Sequence, residues 1–258
     1  MIRVESEGLV YYRFEIFEGV KELAHGVFTR AGGVGSPPHD GLNLGFQDGF
    51  PEEHTAANLG KAARALGFSD LAFAGQVHGD QAMLVRSEDN YRPRRAADVV
   101  PGFDALMTPD PGVGLLVKLA DCQGVLLYDP VSKNLAVVHS GWRGSVQNIL
   151  GKTARRMKDE LGARPENMLA GISPSLGPCC AEFVNFRDEL PREFWDYGRG
   201  SLFDFWAISR DQLVDAGLRP ENVEYSNMCT KCGSEGFFSY RGEGRTGRFG
   251  LAAGRIGD

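Results

Sequence analysis

Cys122 and His139 stand at the two open ends of the stretch ADCQGVLLYDPVSKNLAVVHSGWRG. A thiol and an imidazole are the side chains best suited to nucleophilic or metal chemistry. Two apolar runs, 125–128 and 135–138, flank DPVSKN at 129–134, where Asp, Pro, Ser and Asn favour a turn. An antiparallel hairpin that sets Cys122 opposite His139 centres this turn on Pro130 and Val131, and directly opposed side chains share one face. Two chemistries then open. In one, His139 takes the proton of Cys122 and the thiolate attacks a carbonyl. In the other, both residues bind a metal and a third ligand comes from elsewhere. The chain has five histidines: His25, His39, His54, His78 and His139. His78 lies in GQVHGD, just before an apolar run at 82–85, and its glycine-flanked position suits a strand end lining a cleft. Two histidines and one cysteine leave a fourth position on zinc for water, which becomes hydroxide-like near neutral pH. A lone cysteine beside a strand also serves as a small core residue, and a strand-end histidine as a solvated side chain, so residue types alone leave these alternatives open.

The elements that must position these residues are read from periodicity. Strand-like runs occur at 10–17, 26–29, 82–85, 114–118, 125–128, 135–138, 168–172 and 223–225. Val146, Ile149, Leu150, Ala154, Met157 and Leu161 recur near a 3.6 period and predict one helix over 145–161, stopped by Gly162. A second helix is predicted over 55–66, with Leu59, Ala62, Ala63 and Leu66 on one face. In SRDQLVDAG, Ser209 and Gln212 have capping-box spacing and Gly217 can end the helix. Strands and helices do not alternate strictly, which argues against a doubly wound parallel sheet and for an α+β fold. Neither a repeat nor a linker divides residues 1–258, so a single domain is expected.

Bulk composition bounds the function. A chain of 258 residues with 42% apolar and 24% charged residues can bury a sizeable core without covalent staples. The net charge of −6 gives no overall basic footprint for nucleic acid. The charged N-terminus lacks the apolar region of a signal peptide, and no stretch approaches the roughly 18 apolar residues of a membrane span. A cytoplasmic protein with reduced thiols is expected, since its five cysteines are an odd number. Cys229 and Cys232 form CTKC, but a structural zinc there needs two more ligands, and the adjacent Cys179 and Cys180 read as poorly placed to supply them.

The same residues carry a resemblance. HGVFTRAGGV (25–34), GLNLG (41–45), QVHGD (76–80), FDALMT (103–108), LADC (119–122), VVHSGWRG (137–144), SLGPCCAEF (175–183), CT (229–230) and FFSYRGEGRTGR (237–248) occur in order along most of the chain. With them the sequence resembles the laccase-domain family, formerly labelled multicopper polyphenol oxidases and now described as zinc-dependent purine nucleoside phosphorylases. The resemblance implies a four-layer α/β/β/α sandwich, similar to that of certain cysteine hydrolases. It also implies a metal-binding and catalytic triad of His78, Cys122 and His139. The implied activities are phosphorolysis of adenosine, inosine, guanosine and methylthioadenosine, with adenosine deamination beside it. The implied cofactor is Zn2+, with Cu2+ able to take the same ligands in vitro. The implied partners are purine nucleosides and phosphate, with neither nucleic acid nor membrane, in a monomer or homodimer. Two departures stand out: Gln123 and Gly124 follow Cys122 where the family often has Leu-Pro, and Leu59 follows Asn58 where it has Arg.

Phosphorolysis needs an anion site and a purine slot. Arg30 and Arg143 are candidate phosphate clamps, with Arg245 and Arg248 as weaker ones, because guanidinium groups bind phosphate oxygens in pairs. Trp142, Phe238 and Tyr240 are candidates to stack on a purine, while Asn43 and Gln76 are candidates to orient the ligand. Each has a structural alternative as an ion pair, core aromatic or turn support. A laccase proper needs many histidines, often in H-x-H pairs, and none of the five here is so paired. Two alternatives remain: a metal-free cysteine hydrolase or amidase, with Cys122 as nucleophile and His139 as base, and a copper-dependent polyphenol oxidase.

Overall fold

A computed structural model describes residues 1–37, 39–47, 49–233 and 236–257. The first part of the chain forms β1 (Ile2–Ser6), β2 (Leu9–Arg13), β3 (Leu23–Phe28), α1 (Glu52–Ala65), β4 (Leu71–Ala72), β5 (Ala82–Leu84) and β6 (Ala105–Thr108). The centre forms β7 (Gly114–Leu119), β8 (Gln123–Asp129), β9 (Asn134–Ser140), α2 (Trp142–Val146), α3 (Ile149–Leu161) and β10 (Leu169–Ile172). The remainder forms α4 (Phe186–Glu189), β11 (Gly198–Arg199), β12 (Leu202–Phe203), α5 (Phe205–Asp215), β13 (Val223–Tyr225), α6 (Tyr240–Glu243) and β14 (Phe249–Arg255).

These strands build two six-stranded mixed sheets, ordered β1-β2-β3-β14-β7-β4 and β13-β10-β8-β9-β6-β5, and the ribbon β11-β12. The α+β reading of the sequence therefore holds. Strand alternation explains how the sheets pack. Leu115, Val117 and Leu251 of the first sheet share one buried cluster with Leu126, Tyr128, Leu135 and Val137 of the second, so the sheets face each other. The opposite faces are covered by helices. Leu59, Ala62 and Ala63 of α1 pack on Tyr11, Phe28 and Leu116. Ile149, Leu150, Ala154 and Met157 of α3 pack on Val125, Leu127, Ala136 and Val138. Each of the larger side chains there is fully buried and contributes roughly 1.5–3 kcal/mol, so Met157→Ala would cost about 2–5 kcal/mol.

The helix expected over 145–161 is two helices. Asn148 adopts φ +55° between α2 and α3, and its side chain accepts the Gly151 N–H at 3.0 Å as an N-cap. The apolar period belongs to α3 alone: Ile149, Leu150, Ala154 and Met157 are buried, whereas Val146 of α2, counted in the same period, is exposed. The capping box read at Ser209 is corrected: the N-cap lies five residues earlier, at Asp204, which accepts from the Ala207 N–H at 3.0 Å. Ser209 instead lies inside the helix, fully buried, and bonds the Gln123 side chain.

Candidate active site and metal centre

The hairpin of β8 and β9 forms as expected, but its register differs. Gly124, not Cys122, lies opposite His139, and the loop spans residues 130–133, closed by Asp129 opposite Asn134. Asp129 fixes this longer loop by accepting from the Val131 N–H and the Ser132 hydroxyl, both at 2.9 Å. The shift is two residues, so Cys122 and His139 keep the same face. Both therefore point to the inter-sheet side, at the end of the gap between the sheets.

There the ligand atoms of His78, Cys122 and His139 lie within 4.8 Å of one another. Cys122 Sγ is 3.9 Å from His78 Nε2, and the two imidazole rings meet edge to face with centroids 5.0 Å apart. Gly141 makes this crowding possible: a Cβ at that position would lie 2.9 Å from both Cys122 Sγ and His78 Cδ2.

Asp104 is the residue that sequence reasoning missed. It is fully buried just before β6, and its Oδ1 accepts the His139 Nδ1–H at 2.8 Å. The same carboxylate accepts three consecutive backbone N–H groups, from Val77 at 3.1 Å, His78 at 2.9 Å and Gly79 at 2.8 Å. His78 sits at φ +60°, a strained value for a side-chain-bearing residue, and this curl aims the three amides at one acceptor. One buried carboxylate thus fixes the backbone of one imidazole ligand and the ring of another. Burial alone would raise the Asp104 carboxyl, but the His139 hydrogen bond and charge, then the Gly79 and Val77 amides, hold it below its ordinary range. Burial would likewise raise the Cys122 thiol, yet the His139 charge and the two rings drive it down. His139 moves up against its own burial, through the Cys122 charge and the Asp104 hydrogen bond. The only sequence signal for Asp104 was an acidic residue opening the apolar run of FDALMT.

The set fits a transition-metal ion. Asp104 commits His139 Nδ1 to donation, which leaves Nε2 as the free ligand atom, the usual outer-shell arrangement of a metal-bound histidine. Two nitrogens and a thiolate with one side open suit a catalytic rather than a closed zinc site.

That open side faces a cavity of about 640 Å3. Of the candidate ligand-binding residues, Gln76, Trp142 and Arg143 line it. Gln76 is braced at both ends on Lys118, donating to its carbonyl and accepting its N–H at 2.8 Å each. Arg143 stacks over Trp142 at 4.3 Å. Arg30, Asn43 and Phe238 do not line this cavity. Arg30 lies 4.5 Å over Phe238 and pairs with Glu243 at 3.1 Å, while Phe238 is fully buried. Asn43, also fully buried, accepts the Arg248 N–H at 2.8 Å and supports its own turn. The cavity instead presents Lys118, Arg241 and Arg248. Lys118 is pushed down to about 8 by burial and by the Arg248 charge. Among the described residues, neither Lys118 nor Arg248 forms an ion pair with a carboxylate. The Asp121 and Cys122 charges act on Arg248 from across the cavity, and two crowded cations that form no direct ion pair favour an anionic ligand.

A second group of potential ligands corrects the reading of the CTKC cysteines. Cys179, Cys180, Cys229 and Cys232 also bring their sulfurs within 4.8 Å of one another. Adjacency did not prevent Cys179 and Cys180 from both reaching Cys232.

Comparison with known proteins agrees with this geometry. The profile of the multi-copper polyphenol oxidoreductase laccase family matches residues 24–255. The chain belongs to that family. It is 34% identical over 241 residues to a purine nucleoside phosphorylase of Deinococcus radiodurans, covering 88% of this chain and 87% of the relative. It is 32% identical over 229 residues to purine nucleoside phosphorylase YfiH of Escherichia coli, covering 85% and 88%. The crystal structure of YlmD from Geobacillus stearothermophilus superposes with a TM-score of 0.88 at 28% identity, covering 98% of both chains. The YfiH structure from Bacillus licheniformis gives the same TM-score and coverage at 27% identity. No helix among the described residues is long and apolar enough to cross a membrane.

Proposed function

We propose that this family member is a zinc-dependent purine nucleoside phosphorylase acting on adenosine, inosine, guanosine and methylthioadenosine, with adenosine deamination as a side activity. The observation that carries the reading is the convergence of His78, Cys122 and His139 on one wall of a nucleoside-sized cavity. The names of the relatives support the substrate class.

His78, Cys122 and His139 would hold the ion. When bound, zinc supplies Lewis acidity toward an oxygen of substrate or water. The chain's own residues do the remainder. Lys118 and Arg248, with Arg143 and Arg241 at the rim, bind the phosphate. Trp142, backed edge-on by Phe183 with centroids 6.0 Å apart, offers the purine a stacking face. Gln76 keeps the loop that carries His78 at a fixed distance from β7. In phosphorolysis a phosphate oxygen forms the new bond to the sugar C1′ as the bond to the purine nitrogen breaks. The base leaves with the electron pair and takes the proton given up by the attacking hydrogen phosphate, giving free purine and ribose 1-phosphate, or 5-methylthioribose 1-phosphate from methylthioadenosine. The layers of helix, sheet, sheet and helix correspond in this reading to the four-layer α/β/β/α sandwich of one domain, spanning residues 1–258, in a cytoplasmic monomer or homodimer.

A second reading rests on Asp104. Cys122, His139 and Asp104 also have the nucleophile, base and orienting roles of a cysteine hydrolase. Adenosine incubated with and without phosphate, followed by chromatography, separates the readings. Phosphate-dependent release of adenine and ribose 1-phosphate, lost on chelation and restored by zinc, is the expected result. Chelator-resistant amidase activity abolished by alkylation of Cys122, with no phosphorolysis, would overturn it in favour of the hydrolase. Copper-dependent phenol oxidation as the only activity would favour the oxidase.

A further inference from the structure

We propose that Cys179, Cys180, Cys229 and Cys232 form a second, closed metal site that takes one zinc ion and staples two walls of the cavity together. Cys232 Sγ lies 3.6 Å from Cys179 Sγ and 3.5 Å from Cys180 Sγ, and no pair of the four sulfurs is more than 4.8 Å apart. A tetrahedral ion with Zn–S bonds of about 2.3 Å spaces its sulfurs by roughly 3.8 Å, so these four sit close to the corners of one coordination shell. They are too tightly grouped to span a multi-iron cluster. They are also free thiols, well beyond the S–S bond length of about 2.05 Å.

Local structure explains how four sulfurs come together without a core around them. Cys229 and Cys232 end a tight turn closed by the Gly233 N–H to the Cys229 carbonyl at 2.9 Å. On the other arm, the Cys180 and Ala181 N–H groups both donate to the Gly177 carbonyl at 2.9 Å, a single helical turn that presents both adjacent cysteines. The arms are laced together independently of sulfur. The Ser175 N–H donates to the Met228 carbonyl at 3.2 Å, and the Thr230 N–H to the Ser175 carbonyl at 3.0 Å. Gly177 permits the close approach: a Cβ there would lie 2.8 Å from Trp206 Cη2 and 3.1 Å from Cys229 Cβ.

The place of the staple gives it a purpose. Ser175, Leu176 and Ala181 line the cavity from the first arm, and Tyr240 and Arg241 line it from the segment that follows the second. Asp121, the neighbour of Cys122, accepts from the Thr230 hydroxyl at 2.6 Å, the Ser239 hydroxyl at 2.7 Å and the Arg241 N–H at 2.6 Å. Four thiolates and no open position suit an ion that holds structure rather than one that turns over substrate. The inference stands whatever the cavity binds.

The test uses the full chain carrying His78→Ala and Cys122→Ala, which removes the first ligand set, purified under reducing conditions without a nickel column. The expected result is one zinc or cobalt(II) per chain, with cobalt giving the visible bands of a tetrahedral tetrathiolate. Adding Cys232→Ser abolishes those bands; because they are first read with all four cysteines present, the answer survives if this last variant fails to fold. Chelation should lower the Tm and expose residues 229–233 to protease. A protein that binds no stoichiometric ion and whose four thiols react freely would overturn the proposal. So would one that holds iron in preference to zinc, or one recovered with Cys232 in a disulfide to Cys179 or Cys180.

Discussion

The two thiol-bearing groups collect their ligands in opposite ways. The His78–Cys122–His139 set draws one residue from each of three segments, in the gap between the sheets, and opens on a cavity. The four cysteines come as two pairs close in sequence, on two surface turns, and none of them lines that cavity. The first set needs a buried carboxylate to aim the His139 ring, because an imidazole can present either of two nitrogens, and to hold the backbone that carries His78. The second is set by tight turns closed backbone to backbone, because a thiolate offers a single donor atom. Mixed ligands with outer-shell support thus accompany chemistry, and uniform ligands on tight turns accompany fastening.

Predictions that break or sharpen this contrast begin with Cys122→Ala. It should lower phosphorolysis by on the order of 1,000-fold, about 4 kcal/mol of lost charge stabilisation, in a steady-state assay. It should leave the Tm near that of the parent; a large fall in Tm would make Cys122 a fastener like the other group. The second concerns acid. His25, buried in β3 between Phe14 and Phe17, accepts the Phe14 N–H at 3.0 Å through Nε2. Burial, then the Arg13 charge, lowers it to about 4. The unfolded chain, near 6.5, binds the proton first, so stability is whole above pH 6.5 and falls as pH drops toward about 4. The folding constant should lose up to about 300-fold over that window in denaturant titrations, and His25→Gln should flatten the slope. Acid unfolding then has a cause in neither metal group, and an unchanged slope would return it to them.

Next, Asp104→Asn should weaken metal affinity or activity by about 10- to 100-fold in competition with a chelating dye. Full metal affinity in this variant would mean that the rings aim themselves. The smallest effect is Lys118→Met, which should raise the KM for phosphate by about tenfold, the loss of one charged hydrogen bond of ~1.5 kcal/mol, with little change in kcat. An unaltered phosphate KM would move the anion site away from β7.

Much of this was legible in the sequence because it depends on local order. The apolar runs of β7, β8, β9 and β10 and the faces of α1 and α3 announce themselves by period. Turn chemistry in DPVSKN predicted the hairpin, though not its register, since Asp129 stabilises a four-residue loop as readily as a shorter one. β14 went unread because its FGLAAGR is glycine- and alanine-rich and lacks alternation, yet it is paired on both sides by β3 and β7. Asp104 and Lys118 were hidden for another reason: each matters through what lies across the fold, at sequence distances no window covers. Phe238 failed as a stacking platform because nothing in FFSY distinguishes a core aromatic from an exposed one, and burial decided it.

Asp121, at φ +89°, occupies the bend between β7 and β8 directly beside Cys122. Its carboxylate gathers three donors from residues 230–241. Slack introduced far out in those surface turns therefore travels inward along a single rigid strut to the bend that carries the reactive sulfur. A lesion at the periphery would register as misalignment at the centre.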